Sequence, residues 1–339
     1  MRMSVVDVGS NTACLVVADV AGGWPVPVHT AKYRLRLGQH LDRGGRLPER
    51  QIAQVAEAVG AARAEAERWG TARPLTFATA VVRDAPNRAE VLRAVRSGTG
   101  TRLCVLPGEL EAELSFLAVR RWMGWQAGPL TLMDLGGGTL EVAFGRGRLP
   151  DYAVSLPLGA GRLTREHFTQ ESRDPPPAEA IRAVRRRVRT QLRDVAARIR
   201  QERTHTAVAA SRTFQQLARL CGAAPERQGP FVPRQLSRPD LRRAVDRLAD
   251  LPVDRRASLP GISAARSRQA LAGAVVAHAT MKLIGVGAAT ICPWGLREGI
   301  MLRHVEDGAD WWAAADLGHG AGDAGGRDAP AGRPVRAGE

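Results

Sequence analysis

The sequence predicts an α/β protein of two related domains that face each other across a cleft. An internal repeat is the main reason. Residues 4–7 and 13–20 read as β-strands, joined by the polar turn Val8-Gly9-Ser10-Asn11-Thr12. The pattern returns at 130–134 and 141–144, joined by Leu135-Gly136-Gly137-Gly138-Thr139. Each copy places an acid, Asp7 or Asp134, at a strand end and follows it with a Gly-containing turn. Size is the second reason. A chain of 339 residues, 44% of them hydrophobic, suits two domains better than one. Domains are expected over 1–124 and 125–310. Beyond them, a Gly-, Ala-, Pro- and Arg-rich tail over 315–339 predicts disorder.

The remaining elements follow in order. Residues 26–37 extend the first strand group, and Ile52, Val55, Ala56 and Val59 fall at helical spacing within a helix over 48–69. An apolar, β-prone run over 75–82 predicts a buried strand. A helix over 87–96, a strand over 102–106 and a helix over 108–123 complete the first part. After the second copy, Pro175-Pro176-Pro177 opens a helix running to about 203, with Arg185, Arg186, Arg187 and Arg189 on a solvated face. A strand over 207–210 precedes helices over 213–220, 236–248 and 264–283. A strand over 289–292 then leads to a helix from Pro293 to about His304.

Composition excludes several classes. No run of eighteen apolar residues occurs, so no membrane span is expected. Asp7 comes too early for a secretory signal. Cys14, Cys104, Cys221 and Cys292 have no paired spacing and read as reduced thiols of a cytoplasmic protein. The formal charge of +15 would attract a polyanion. Lysine occurs only at Lys32 and Lys282, however, so most of the excess fits an Arg-rich coding bias and solvated faces.

The chemistry sits at the two turns. Glycine lets backbone N–H groups converge on an anion, and Ser10, Asn11 and Thr139 add side-chain donors. Asp7 and Asp134 would repel phosphate unless a hard cation such as Mg²⁺ stood between them. In a phosphate-binding GxxxxGK[ST] loop or a GxGxxG fingerprint the glycine turn enters a helix, whereas here it enters a strand. Arg83 stands where a strand gives way to a loop and suits a bidentate grip on phosphate. The helix that starts at Gly108 carries Glu109, Glu111 and Glu113, of which Glu111 points away from the other two.

The strand–turn–strand topology resembles the actin/hexokinase/heat-shock-protein-70 superfamily. Closer still, the chain resembles the exopolyphosphatase/guanosine pentaphosphate phosphohydrolase family. The matching pieces include Asp7-Val8-Gly9-Ser10-Asn11-Thr12, Ala78-Thr79-Ala80 with Arg83-Asp84-Ala85, Gly108-x-x-Glu111-Ala112 and Asp134-Leu135-Gly136-Gly137-Gly138-Thr139-Leu140-Glu141. Later pieces are Leu158-Gly159-Ala160 and Cys292-Pro293-Trp294-Gly295-Leu296-Arg297-Glu298-Gly299. The resemblance implies two ribonuclease-H-like domains, with the last helix packed back on the first. It implies Glu111 as the catalytic carboxylate that deprotonates water. Asp7, Asp134 and Glu141 would hold Mg²⁺ or another divalent cation. Gly9, Ser10, Asn11, Thr12, Arg83, Gly136, Gly137, Gly138 and Thr139 would bind phosphoryl oxygens, with Arg212 and Arg297 along the substrate path. The implied substrate is inorganic polyphosphate or guanosine pentaphosphate rather than nucleic acid, and many members are dimers. Leu110, Pro107 and Arg212 depart from the family pattern, which leaves open a catalytically weak polyphosphate sensor. A sugar kinase of the same superfamily would need an Asp base and a nucleotide site.

Overall fold

The computed structural model describes residues 1–71, 73–168, 173–202, 206–308 and 311, and the two repeat units head separate sheets. In the first half, β1 (Arg2–Val8), β2 (Thr12–Ala21) and β3 (Trp24–Arg34) pair antiparallel. After α1 (Leu37–His40) and α2 (Glu49–Arg68), β4 (Leu75–Ala78) joins β1 in parallel. Then α3 (Ala80–Arg83) and α4 (Arg88–Thr99) lead to β5 (Cys104–Val105), parallel to β4. The helix α5 (Gly108–Met123) crosses to the second half.

There β6 (Leu130–Leu135), β7 (Leu140–Gly145) and β8 (Tyr152–Leu156) again pair antiparallel. Past α6 (Ala160–His167) and α7 (Ala178–Gln201), β9 (Thr206–Ala210) runs parallel to β6. The chain continues through α8 (Ser211–Leu220), β10 (Gln235–Ser237), α9 (Arg238–Ala249), α10 (Val253–Arg256) and α11 (Ser267–Ile284). Next, β11 (Ala288–Ile291) pairs parallel to β9 and antiparallel to β10. The sheet orders β3-β2-β1-β4-β5 and β8-β7-β6-β9-β11 are therefore equivalent, with β10 added at the second edge.

Packing explains how the halves are held. In α7, Ile181, Val184, Val188, Leu192, Val195 and Ile199 recur at helical spacing and face the second core, leaving the arginine run outside. Two faces of α5 are used: Leu114 packs with Met3 and Val5 of the first sheet, and Phe116 and Val119 with Leu130 and Leu132 of the second. The last helix, α12 (Leu296–Asp307), returns to the first half, where Ile300 and Met301 join Met3, Val5 and Val16. Among the described residues no helix is long and apolar enough to cross a membrane.

Some expected boundaries move. The apolar run over 75–82 is not all strand: β4 stops at Ala78 and residues 80–83 turn helical. Such a short apolar run has no period that separates the two. Leu236 lies in β10, and α9 starts two residues later, its N-terminus capped by Ser237 Oγ accepting from Asp240 N at 3.2 Å. Ser267, not Ala264, opens α11. At α12, helix begins at Leu296, where the Glu298 carboxylate accepts from Gly295 N at 2.8 Å. The expected tail over 315–339 and the helix end at Arg203 lie outside the described residues.

Candidate active site

The two turns are built alike. Gly9 N donates to Thr12 O at 3.0 Å, and Gly136 N donates to Thr139 O at 2.9 Å. Among the described residues, the N–H groups of Ser10, Asn11, Gly137 and Gly138 donate to no protein acceptor. The turns also touch: a Cβ on Gly137 would stand 2.9 Å from Ser10 Cβ, and one on Gly138 would stand 2.7 Å from Ala80 Cβ. Glycine is required in the second turn by this close approach. The result is a pair of facing bends with four unused N–H donors, suited to an anion of several oxygens.

A chain of acids leads into the bends. Asp7 and Asp134 end β1 and β6 and influence one another electrostatically, and Glu111 on α5 responds to both. Register explains the next member. Asp134 lies directly opposite Glu141 in the β6–β7 pair, whereas Asp7 lies opposite Cys14 in β1–β2. Burial pushes the Glu111 carboxyl up to about 7, an effect that Arg83 opposes and that Asp7 and Asp134 reinforce. Burial likewise lifts Asp134 to about 6 against a hydrogen bond from Ser115. Glu141, only 2% exposed, is raised well above the usual range, first by burial and then by Glu111 and Asp134. Burial also raises Asp7, whose Oδ1 is buried without a hydrogen-bond partner.

Two hydroxyls not singled out in the sequence hold this chain in place. Ser115 Oγ donates to Asp134 Oδ2 at 3.0 Å, and Ser155 Oγ donates to Glu141 Oε1 at 2.7 Å. Glu298, also buried, acts on both Asp7 and Asp134. The Ser155 signal was available in principle, since a β7–β8 hairpin puts it opposite Glu141. Ser115 sits one helical turn beyond Glu111, a spacing that places both on one face of α5.

The other predicted residues divide. Arg83 is at the site, but as the partner of Glu111: Nη1 lies 3.0 Å from Glu111 Oε2 and 2.9 Å from Leu106 O. Arg297 reaches Cys14 Sγ and lies near Asp7 and Glu298, so it serves as the counter-charge of the acids rather than a stop along a path. Arg212 is not brought to the turns. It pairs with Glu226 and lines a separate cavity with Arg219 and Arg234. The Thr139 hydroxyl is committed to Glu141, while Thr12 begins β2 at the end of the first turn. Leu110, the departure next to Glu111, packs against the cluster of Met3 and Phe77.

A three-carboxylate metal set of Asp7, Asp134 and Glu141 is not what forms. Among the described residues no three Asp, Glu, His or Cys side chains converge to hold a metal ion. Glu141 is taken up by Ser155 and Thr139 and responds to Glu111 and Asp134. Asp7 and Asp134, with the orphaned Asp7 Oδ1, fit a hard cation that also takes water and substrate oxygens, as Mg²⁺ usually does.

A family model for the Ppx/GppA phosphatase family matches residues 15–307. The chain belongs to that family. Within it, "Exopolyphosphatase 1" of Mycobacterium tuberculosis is 43% identical over 312 residues, covering 91% of this chain and 90% of the relative. An uncharacterized protein of Streptomyces coelicolor is 62% identical over 313 residues, covering 92% and 93%. Among solved Ppx/GppA structures, an exopolyphosphatase from Cytophaga hutchinsonii superposes with a TM-score of 0.81 at 20% identity, covering 91% of this chain and 99% of that one. The Aquifex aeolicus PPX-GPPA enzyme gives a TM-score of 0.74 at 25% identity, covering 89% and 99%. The fold is thus the two-domain, actin-like fold of the Ppx/GppA phosphatases.

Proposed function

We propose that this protein is an exopolyphosphatase that removes the terminal phosphate of inorganic polyphosphate by attack of water, with Glu111 as general base. The observation that carries the reading is that Glu111, paired with Arg83 at 3.0 Å, feels the charges of Asp7 and Asp134, the two acids that lead into bends with four unused N–H donors. The Mycobacterium tuberculosis relative named for polyphosphate supports this substrate over guanosine pentaphosphate.

The end phosphate seats its non-bridging oxygens on the N–H groups of Ser10, Asn11, Gly137 and Gly138. Glu111 accepts a proton from a water as its oxygen bonds to the terminal phosphorus. The bond from that phosphorus to the bridging oxygen breaks, and the shortened chain leaves with the negative charge. Orthophosphate is the second product. Arg83 steadies Glu111 through Nη1, faces Asp84 with Nε, and keeps Nη2 for the transferred phosphoryl. Asp7 and Asp134 would hold Mg²⁺, which when bound offsets the charge on the phosphate oxygens. Ser115 and Ser155 orient Asp134 and Glu141.

Glu111→Gln keeps size and hydrogen bonding but removes the base. Phosphate release from polyphosphate with Mg²⁺ should fall by roughly 10²- to 10⁴-fold while polyphosphate binding persists. Turnover within a few-fold of wild type would disprove the role of Glu111. No release by wild type, with tight binding, would instead identify a sensor.

A further inference from the structure

At the two bends a cavity of about 560 Å³ opens between the halves. Ser10 and Gly137 line it, but Asp7, Glu111, Asp134 and Glu141 do not. Its wall is basic. Arg162 pairs with Asp84 and donates to Gly138 O at 3.0 Å, and Arg165 donates to Gly38 O at 3.1 Å. Those two are engaged across the cleft. Arg43 and Arg268 also line the cavity and have no ion pair or hydrogen bond from their guanidinium groups among the described residues.

Gln269, beside Arg268, supplies the sharper clue. It is only 8% exposed, it lines the cavity, and its Nε2 has no hydrogen-bond partner. A buried amide donor without an acceptor is costly and calls for an oxygen from outside the protein. Both residues belong to the first turn of α11, an 18-residue helix with no acidic residue in that turn. The first N–H groups of a helix and its dipole favour an anion at that end. An unused cation, an unused buried amide and an uncompensated helix start therefore meet at one wall of the cavity. All of these groups are donors, which suits a chain of phosphate oxygens, since such a chain offers only acceptors.

We infer that this cavity holds the leaving portion of the polyphosphate chain, with Arg268 and Gln269 gripping phosphates beyond the one removed and so favouring longer chains. The inference rests on the polyphosphate reading above. It divides the work of the cleft. The bends and Glu111 handle the end phosphate, and the α11 wall measures how much chain follows it.

The test compares kcat/KM on tripolyphosphate and on long-chain polyphosphate, with Mg²⁺, for wild type, Arg268→Ala and Gln269→Glu. Arg268 is partly exposed and unbonded, so its removal leaves the core intact. Gln269→Glu is nearly isosteric and sets a carboxylate where a phosphate oxygen would lie. In each variant the ratio of long-chain to tripolyphosphate kcat/KM should fall about tenfold, the size expected for one lost charge-assisted hydrogen bond, with the loss carried by KM. A folded variant with an unchanged ratio overturns the inference, and so does an equal loss on both substrates. Equilibrium binding of long-chain polyphosphate to Glu111→Gln, with and without Arg268→Ala, separates the two readings. If wild type releases no phosphate yet Arg268→Ala weakens binding, the hydrolase reading fails and the chain site stands. If Arg268→Ala leaves binding unmoved, the chain site fails.

Discussion

Replacing Gly159 by alanine tests whether the position of the second bend sets the rate. Gly159 precedes α6 with φ of −62°, a conformation open to any residue, so it is glycine for space alone. A Cβ there would stand 2.5 Å from Gly137 C and nearer still to Gly138 C and Thr139 N. Ordinary contact begins at 3.4 Å, so even the mildest of these overlaps is 3.4 minus 2.5, or 0.9 Å. All three atoms are backbone and cannot rotate aside. The bend must therefore retreat by roughly 1 Å, a misplacement that costs about 100-fold in rate. That factor corresponds to about 2.7 kcal/mol of transition-state stabilisation. Overpacking itself costs about 1–3 kcal/mol of stability. The assay is phosphate release from long-chain polyphosphate with Mg²⁺, read as kcat and KM beside a melting curve. Gly147→Ala is the control, because its methyl would meet nothing within 4 Å. Gly159→Ala with wild-type kcat and KM would refute the argument that bend placement controls the rate.

Three other outcomes are expected. A base works only when ionised, so kcat/KM should climb with pH as Glu111 loses its proton near 7, and Arg83→Ala should move that climb to higher pH by removing the cation that opposes the shift; an unmoved limb in the pH profile contradicts the pairing. The stability of the ligand-free protein should run the other way. Folded Glu111 keeps a proton that the unfolded chain sheds near 4.5, so its contribution is full below that value and is lost as pH rises to about 7, a trend that melting curves across the interval will show or exclude. Finally, a Cβ at Gly299 would collide with Leu114 O and stand 2.5 Å from Leu114 C, so Gly299→Ala should part α12 from α5, lowering the melting temperature by several degrees and disturbing Glu111 one turn away; an unchanged melt would show that the helices have slack.

How much of this was legible in sequence depended on whether a residue's role was local. The Asp–Gly turns were readable because each is closed within six residues by its own hydrogen bond, Gly9 to Thr12 and Gly136 to Thr139. Glu111 was readable through its motif. Arg83 was placed at the site as a phosphate ligand, but its pairing with Glu111 was not legible, because a partner on another helix leaves no trace in spacing. The same limit hid Ser115 and Ser155, which act on Asp134 and Glu141 across elements. Arg212 and Arg297 show the converse: both were expected along the substrate path, yet Glu226 and the Cys14–Asp7 surroundings, set by tertiary packing, decide what they do. The helical turn over 80–83 and the strand β8 were missed because short apolar runs fit either geometry until neighbours choose.

The return of α12 to the first half has a consequence for biosynthesis. One side of the earliest sheet, with Met3, Val5 and Val16, is covered by Ile300 and Met301. On the ribosome, the amino-terminal lobe therefore waits, with part of an oily flank bare, while the chain grows from the end of α5 at Met123 to the start of α12 at Leu296. A nascent chain stalled before Leu296 would carry both bends and Glu111 yet lack the lid that sets them, and chaperones would find it sticky.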